Sequence, residues 1–124
     1  MTDQDRLAGE ATAIARKVAP VAASGEEGRV NRRLIRALAD EGLLPRLFPR
    51  RAGGARDGDV SAVDLCTVRE ALARESTVTE NAVAIQTLGA YPIVLVGTDE
   101  QAARHTGPVA RGEAVAIEIG LVTQ

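Results

Sequence analysis

The side chains best suited to nucleophilic catalysis in this sequence are one cysteine, Cys66, and one histidine, His105. Cys66 follows Leu65 within a helical pattern, where a buried and inert thiol is the common state. His105 lies near the end of a predicted helix, where a positive charge is favourable. These positions do not predict a nucleophile–base pair, and we expect no catalytic residue in the chain.

A metal site would have to be built mainly from carboxylates, because the sequence offers only one cysteine and one histidine. The close acidic pairs fall in a connector, in a loop and at the start of a helix, where solvated acids are usual. These pairs are Glu26–Glu27, Asp57–Asp59 and Asp99–Glu100. We therefore predict no metal site.

An arginine-rich segment, Pro45 to Asp59, offers guanidinium groups and the backbone N–H groups of Gly53 and Gly54 to a phosphate. Neither a P-loop pattern nor a GxGxxG pattern accompanies it. The composition favours a solvated basic loop over a nucleotide site.

The strongest candidate for a binding site lies on the helix predicted over residues 78–96. Asn81, Ala84, Ile85 and Leu88 fall on one face of it, at spacings of three and four. The small Ala84 between larger side chains could leave a slot for an aliphatic chain. Ordinary core packing would produce the same pattern, so the two interpretations remain open at this point.

The composition is that of an ordinary globular domain: 124 residues, 45% hydrophobic, with a formal net charge of -2. This charge gives no reason to expect nucleic acid or an anionic membrane as a partner. The longest mostly apolar stretch, Ala82–Val96, is about fifteen residues long. A membrane span needs roughly 20. No basic segment follows Met1, so we expect a soluble, cytoplasmic protein.

Apolar spacing predicts helices over Asp3–Ala23, Val30–Glu41, a segment from Ser61 to about Glu75, Val78–Val96, and a segment from Thr98 to about Thr106. Three capping boxes mark the starts of the later helices: Ser61 with Asp64, Thr77 with Glu80, and Thr98 with Gln101.

The predicted fold class is all-α, with residues 1–124 as a single domain. We expect an irregular bundle of about five helices around the Val78–Val96 helix, which is apolar on nearly every side and should be buried. Ala114–Leu121 should form a short strand or an extended C-terminal segment.

Several short motifs occur in the order found in one known family. They include Glu41–Leu44, Phe48-Pro49, Gly53-Gly54, Arg69–Ala73, Leu88–Ile93, Gly97–Gln101 and Gly112-Glu113. This ordered set resembles the N-terminal helical domain of acyl-CoA dehydrogenases. The resemblance implies that the helix over 78–96 forms the floor of an acyl pocket, lined by Asn81, Ala84, Ile85 and Leu88.

The resemblance also implies what this chain does not do alone. In the family, a middle β domain and a C-terminal helical bundle hold nearly all FAD contacts and the catalytic carboxylate. The family's T-E-P turn has no counterpart here, because Leu121 and Val122 occupy the T-E positions. We therefore expect no cofactor to bind this chain by itself, and FAD only when a partner chain completes the site.

The function implied is a non-catalytic acyl-CoA dehydrogenase-like domain. It would bind an acyl thioester or another apolar small molecule, or complete the active site of a partner flavoprotein chain. Exposed docking faces should cause self-association or binding to a β-domain partner chain. Two alternatives remain. One is a repurposed small enzyme that uses polar groups in the retained cleft, such as Glu80, Asn81, Gln86, Tyr91 or Glu118, and the other is a fragment without activity.

Overall fold

The computed structural model describes residues 1–116, and these residues form six α-helices and one short 3₁₀ helix. They contain no β-strand, apart from a single bridge between Pro49 and Arg56, so the all-α prediction is confirmed. Most of the predicted C-terminal segment Ala114–Leu121 lies outside the described residues, and Ala114–Ala116 are not helical. The helices are α1 (Asp3–Ala23), α2 (Arg32–Asp40), α3 (Leu43–Arg46), α4 (Ala62–Glu75), α5 (Thr77–Val96) and α6 (Asp99–Ala110).

Side-chain caps fix where the long helices begin. The Thr98 hydroxyl accepts from the backbone N–H of Gln101, and the Gln101 side chain accepts from the N–H of Thr98, which confirms that predicted capping box. Ser61 accepts from the N–H of Asp64 as predicted. The Asp64 carboxylate does not return the bond, because it binds the Arg56 guanidinium instead.

The predicted box of Thr77 with Glu80 is wrong. Ser76 is the N-cap of α5, and its hydroxyl accepts from the N–H of Thr79. Ser76 also donates its backbone N–H to Leu72, so the same residue ends α4. Glu80 is left to form an ion pair with Arg69 at 2.8 Å, which joins α5 to α4.

The predicted end of the last helix near Thr106 is also wrong, because α6 continues through Pro108 to Ala110. A proline removes one backbone hydrogen bond, here the bond to the carbonyl of Arg104. Tertiary packing outweighs this loss, because Thr106, Val109 and Ala110 are all buried. The Thr106 hydroxyl lies within hydrogen-bond distance of two carbonyl oxygens, that of Ala102 in the same helix at 2.6 Å and that of Ala52 at 3.0 Å.

The arginine-rich segment that was predicted to be an irregular loop is held by its own backbone. The end of α3 and the 3₁₀ helix Arg50–Ala52 lie within it. The N–H of Ala55 donates to Pro45 at 2.9 Å, and the N–H of Arg56 donates to Phe48 at 3.0 Å. These bonds wrap the segment around the fully buried ring of Phe48.

One glycine in this segment, compared with one outside it, tests how tightly the segment is packed. A Cβ atom at Gly54 would overlap the backbone carbonyl of Phe48, whereas a Cβ at Gly9, in the exposed middle of α1, would meet no heavy atom within 4 Å. We expect Gly54→Ala to lower the free energy of unfolding by at least about 2 kcal/mol. Gly9→Ala should raise it by roughly 1 kcal/mol. Urea denaturation followed by circular dichroism measures both, and equal effects of the two substitutions would contradict this account.

Candidate functional site

Helix α5 is packed on one side and open on the other. Its buried side contacts α1, α2, α4 and α6. The opposite side exposes a row of large apolar side chains, so the prediction that this helix is buried all round is wrong. The described residues supply packing partners for only one side. The exposed residues are Val78 (51% exposed), Ile85 (45%), Leu88 (50%), Leu95 (59%) and Val96 (87%).

These residues form a continuous surface, which we call the outer face of α5. At about 100° per residue, Val78, Asn81, Ile85, Leu88, Pro92, Leu95 and Val96 all fall within an arc of about 100°. Pro92 adds a polar feature to this face: it has no N–H to donate to the carbonyl oxygen of Leu88, four residues earlier. That oxygen therefore lacks its usual helical donor.

An apolar groove of about 430 Å³ begins at the N-terminal half of the outer face. Its walls are the connector before α2, the first turn of α2, helix α5 and the segment Val115–Ala116. We call it the connector groove. Apolar side chains supply most of its surface, including Val30, Leu34, Val78 and Ile85.

The four predicted site residues do not all meet in this groove. Asn81 and Ile85 line it. Leu88 lies further along the outer face, exposed and outside the groove lining. Ala84 is only 5% exposed, on the packed side of the helix. Their assignment to an acyl pocket stays a prediction.

Gln86 builds one wall of the connector groove. Its side chain is 2% exposed, and its amide makes two bonds to one residue: Oε1 accepts from the N–H of Ala116 at 2.8 Å, and Nε2 donates to the Ala116 carbonyl at 3.4 Å. The sequence predicted for Gln86 only a role among the polar groups of a repurposed enzyme, and not a structural one. The sequence did contain a signal for this structural role, because a glutamine inside an apolar helix must find hydrogen-bond partners when it is buried.

Tyr91 fixes α5 against the segment around Phe48. The phenol donates to the carbonyl of Leu47 at 2.7 Å, and its ring meets the Phe48 ring edge-on, with 5.4 Å between centroids. Burial raises the pKa of Tyr91 to about 12. These two contacts make Tyr91 a positioning residue for the helix that carries the outer face.

The connector groove offers little acid–base chemistry. No carboxylate lines it within the described residues, and Glu80 is engaged with Arg69. Cys66 and His105 are both exposed, and neither lines the groove. The expectation of a buried thiol is therefore wrong. Cys66 lies on the outer side of α4, whose buried positions are Val68, Ala71 and Leu72.

A metal site in residues 1–116 and a phosphate site in the arginine-rich segment also lack support. No cluster of three or more histidine, cysteine or acidic side chains occurs there that could hold a metal ion. In the arginine-rich segment, Arg50 pairs with Asp57 at 2.7 Å and Arg51 pairs with Asp59 at 3.0 Å, so its charges are already largely balanced. Among these candidates, the connector groove offers a surface suited to an apolar group.

A sequence model of the family described as acyl-CoA dehydrogenase, N-terminal domain, matches residues 2–113. No curated protein matches the chain. Among the helices of the described residues, none combines the length and apolar character that crossing a membrane requires.

Removing the Tyr91 hydroxyl tests its positioning role. Tyr91→Phe should lower the free energy of unfolding by about 1 kcal/mol near neutral pH, because the carbonyl of Leu47 loses its donor. The pH dependence has a definite sign. The phenol ionises near pH 10 when unfolded but near 12 when folded, so wild-type stability should fall as pH rises through that range. The phenylalanine variant should lose this part of the alkaline decline.

The measurement is direct because Tyr91 is the sole tyrosine in the sequence. Phenolate absorbance of the folded protein therefore reports this group alone, and the variant controls for other groups that titrate in alkali. A midpoint near 10 in the folded protein would contradict the assigned burial and hydrogen bond.

Proposed function

Since the chain belongs to the acyl-CoA dehydrogenase N-terminal domain family, we propose that it is a non-catalytic helical domain that contributes one wall of an acyl-binding site. The outer face of α5 docks on a flavin-bearing β domain, and the two surfaces together enclose the acyl group. FAD is held by that partner. The ligand is an acyl thioester or a similar apolar molecule.

The observation that carries this proposal is the outer face of α5. From Val78 to Val96 it runs for about 27 Å, at roughly 1.5 Å per residue. Isolated apolar side chains are normal on protein surfaces, whereas a contiguous apolar row is typical of an interaction site. Pro92 deprives the carbonyl oxygen of Leu88, in the middle of the row, of its usual helical donor, and this oxygen is our candidate acceptor for a docking partner.

The connector groove supports the acyl-binding part of the proposal. Its volume of about 430 Å³ falls within the range of small-molecule sites, which is about 300–1,000 Å³. Asn81 and Ile85 lie in the groove and Leu88 continues the apolar surface beyond it. The repurposed-enzyme alternative draws no support from this groove, because no acid or base group lines it among the described residues.

A charge placed on the outer face tests the docking role. We expect the wild-type chain to self-associate at micromolar concentration or to bind a hydrophobic dye. Leu88→Asp should reduce both severalfold, because it places a carboxylate in the centre of the apolar row. Val63→Asp is the matched control, since Val63 is also exposed (62%) but lies on α4.

Sedimentation velocity and dye fluorescence measure the two effects. A wild-type chain that sediments as a monomer and binds no dye would overturn the docking role. Equal losses in the Leu88 and Val63 variants would show that the outer face has no special part in association.

A further inference from the structure

The chain enters the connector groove just where its described part ends. Gly112 lies beside α2 and outside the groove lining, since a Cβ atom there would meet the Cβ of Ala39 at 2.7 Å. Three residues later Val115 lines the groove, and so does Ala116, the last residue described. The next residues of the chain therefore start at a wall of this groove.

Gln86 holds the chain at this entry in a way typical of extended backbone. Its amide accepts from the N–H of Ala116 at 2.8 Å and donates to the carbonyl of the same residue at 3.4 Å. A residue in extended backbone presents both groups to one side, as paired residues of antiparallel strands do. Successive side chains of such a backbone point to opposite faces, so position 117 shares the face of Val115.

The sequence after Ala116 alternates in the register that Val115 sets. Positions 115, 117, 119 and 121 all carry large aliphatic side chains, whereas 116, 118 and 120 carry alanine, glutamate and glycine. Strict alternation over this length is typical of an extended segment with one face covered. Val115, which begins the aliphatic face, lines the groove and packs against the core.

The length of the groove matches this segment. Eight residues of α5 separate Gln86 from Val78, a rise of about 12 Å at roughly 1.5 Å per residue. Four extended residues after Ala116 span about 13 Å at roughly 3.3 Å each. The exposed apolar side chains along this part of the groove are Val78 and Ile85.

The charges of the groove and of the segment are complementary. Arg29 is the one charged residue in the described lining of the groove, and its carboxylate partner, Glu26, lies at 3.5 Å with both side chains exposed. Glu118 carries the one charged side chain between positions 117 and 124. An acidic residue on the solvent side of a segment in the groove would lie near the rim, where an exposed arginine is available.

We propose that residues 117–121 of this chain occupy the connector groove, with Ile117 and Ile119 against the apolar side chains of α5 and Glu118 at the rim. The segment is joined directly to the groove wall, so its effective concentration there is on the order of millimolar. Occupancy by the segment does not depend on the proposed function. Its consequence does: an acyl group enters only after the segment has left.

Thiol labelling of the full chain without ligand tests this proposal. In a Cys66→Ser background, which removes the sole native thiol, Ile119→Cys places a thiol on the groove side of the segment and Gly120→Cys places one on the solvent side. We expect a maleimide to label the Ile119 variant about tenfold more slowly, which corresponds to about 1.4 kcal/mol. Both should react equally fast in urea. Equal rates in the folded protein would overturn the proposal.

A charge in the groove tests where the segment lies. Val78→Asp should raise the labelling rate of the Ile119 variant to that of the Gly120 variant, whereas Val63→Asp, at an exposed position of α4, should leave it unchanged. Val78 is half exposed in the first turn of α5, where a carboxylate is favourable, so the variant should stay folded in a thermal melt. Unchanged protection in Val78→Asp would place the segment elsewhere and overturn the groove assignment.

The dependence on protein concentration separates this chain from a second copy as the source of the segment. Equal protection in dilute and concentrated samples supports docking within one chain. Protection that grows with concentration would assign the contact to a second copy and overturn the proposal. The docking role of the outer face is judged by the Leu88 and Val63 variants, so the two proposals can fail independently.

Discussion

The one-sided burial of α5 is the constraint on which the rest of this molecule depends. Helices α1, α2, α4 and α6 all contact the same helix, and most polar groups on its packed side have hydrogen-bond partners; the buried Thr79 hydroxyl has none among the described residues. The Thr87 hydroxyl, for example, shares its one proton between the carbonyl oxygens of Val83 and Ala84 within the helix. The helices that pack on α5 all lie on that side. The large apolar side chains on the opposite side therefore remain exposed within the described chain.

Three contacts from different parts of the chain set the orientation of α5. Arg69 holds its first turn through Glu80, Tyr91 holds its middle through Leu47, and the Arg51 guanidinium donates to the carbonyl of Val94 near its end at 3.0 Å. The partners of α5 in these contacts lie in separate elements: Arg69 in α4, Leu47 at the end of α3, and Arg51 in the 3₁₀ helix. The outer face is therefore displayed by a framework, rather than by a helix free to rotate.

Helix existence and the all-α class were predictable because apolar spacing and capping residues are local signals. The bounds of α1, Asp3–Ala23, agree with the predicted bounds, and α4 and α5 differ by a residue or so. The continuation through Pro108 was not predictable locally, because the contact of Thr106 with Ala52 spans 54 positions. Similarly, Ser76 and Thr77 are both able to cap a helix, and only the exit direction of α4 decides between them.

The candidate site was predicted only in part, again for a geometric reason. Asn81, Ile85 and Leu88 lie within the arc of the outer face, whereas Ala84 lies beyond its edge and turns toward the packed side. A helix that is apolar all round gives no sequence signal for where the boundary between core and interface falls. The arrangement of Gln86 with Ala116 is likewise a contact across 30 positions.

The single-residue corner at Ser76 makes the fold intolerant of changes in length at this point. Because Ser76 ends α4 and starts α5, the two helices share one rigid joint with no slack between them. Adding or deleting one residue there, with α4 kept in place, would turn α5 by about 100° about its own axis. Deleting a residue would place Leu88 where the buried Thr87 now lies, and adding one would place Thr87 where the exposed Leu88 now lies. The spacing of this corner therefore determines which surface the domain presents.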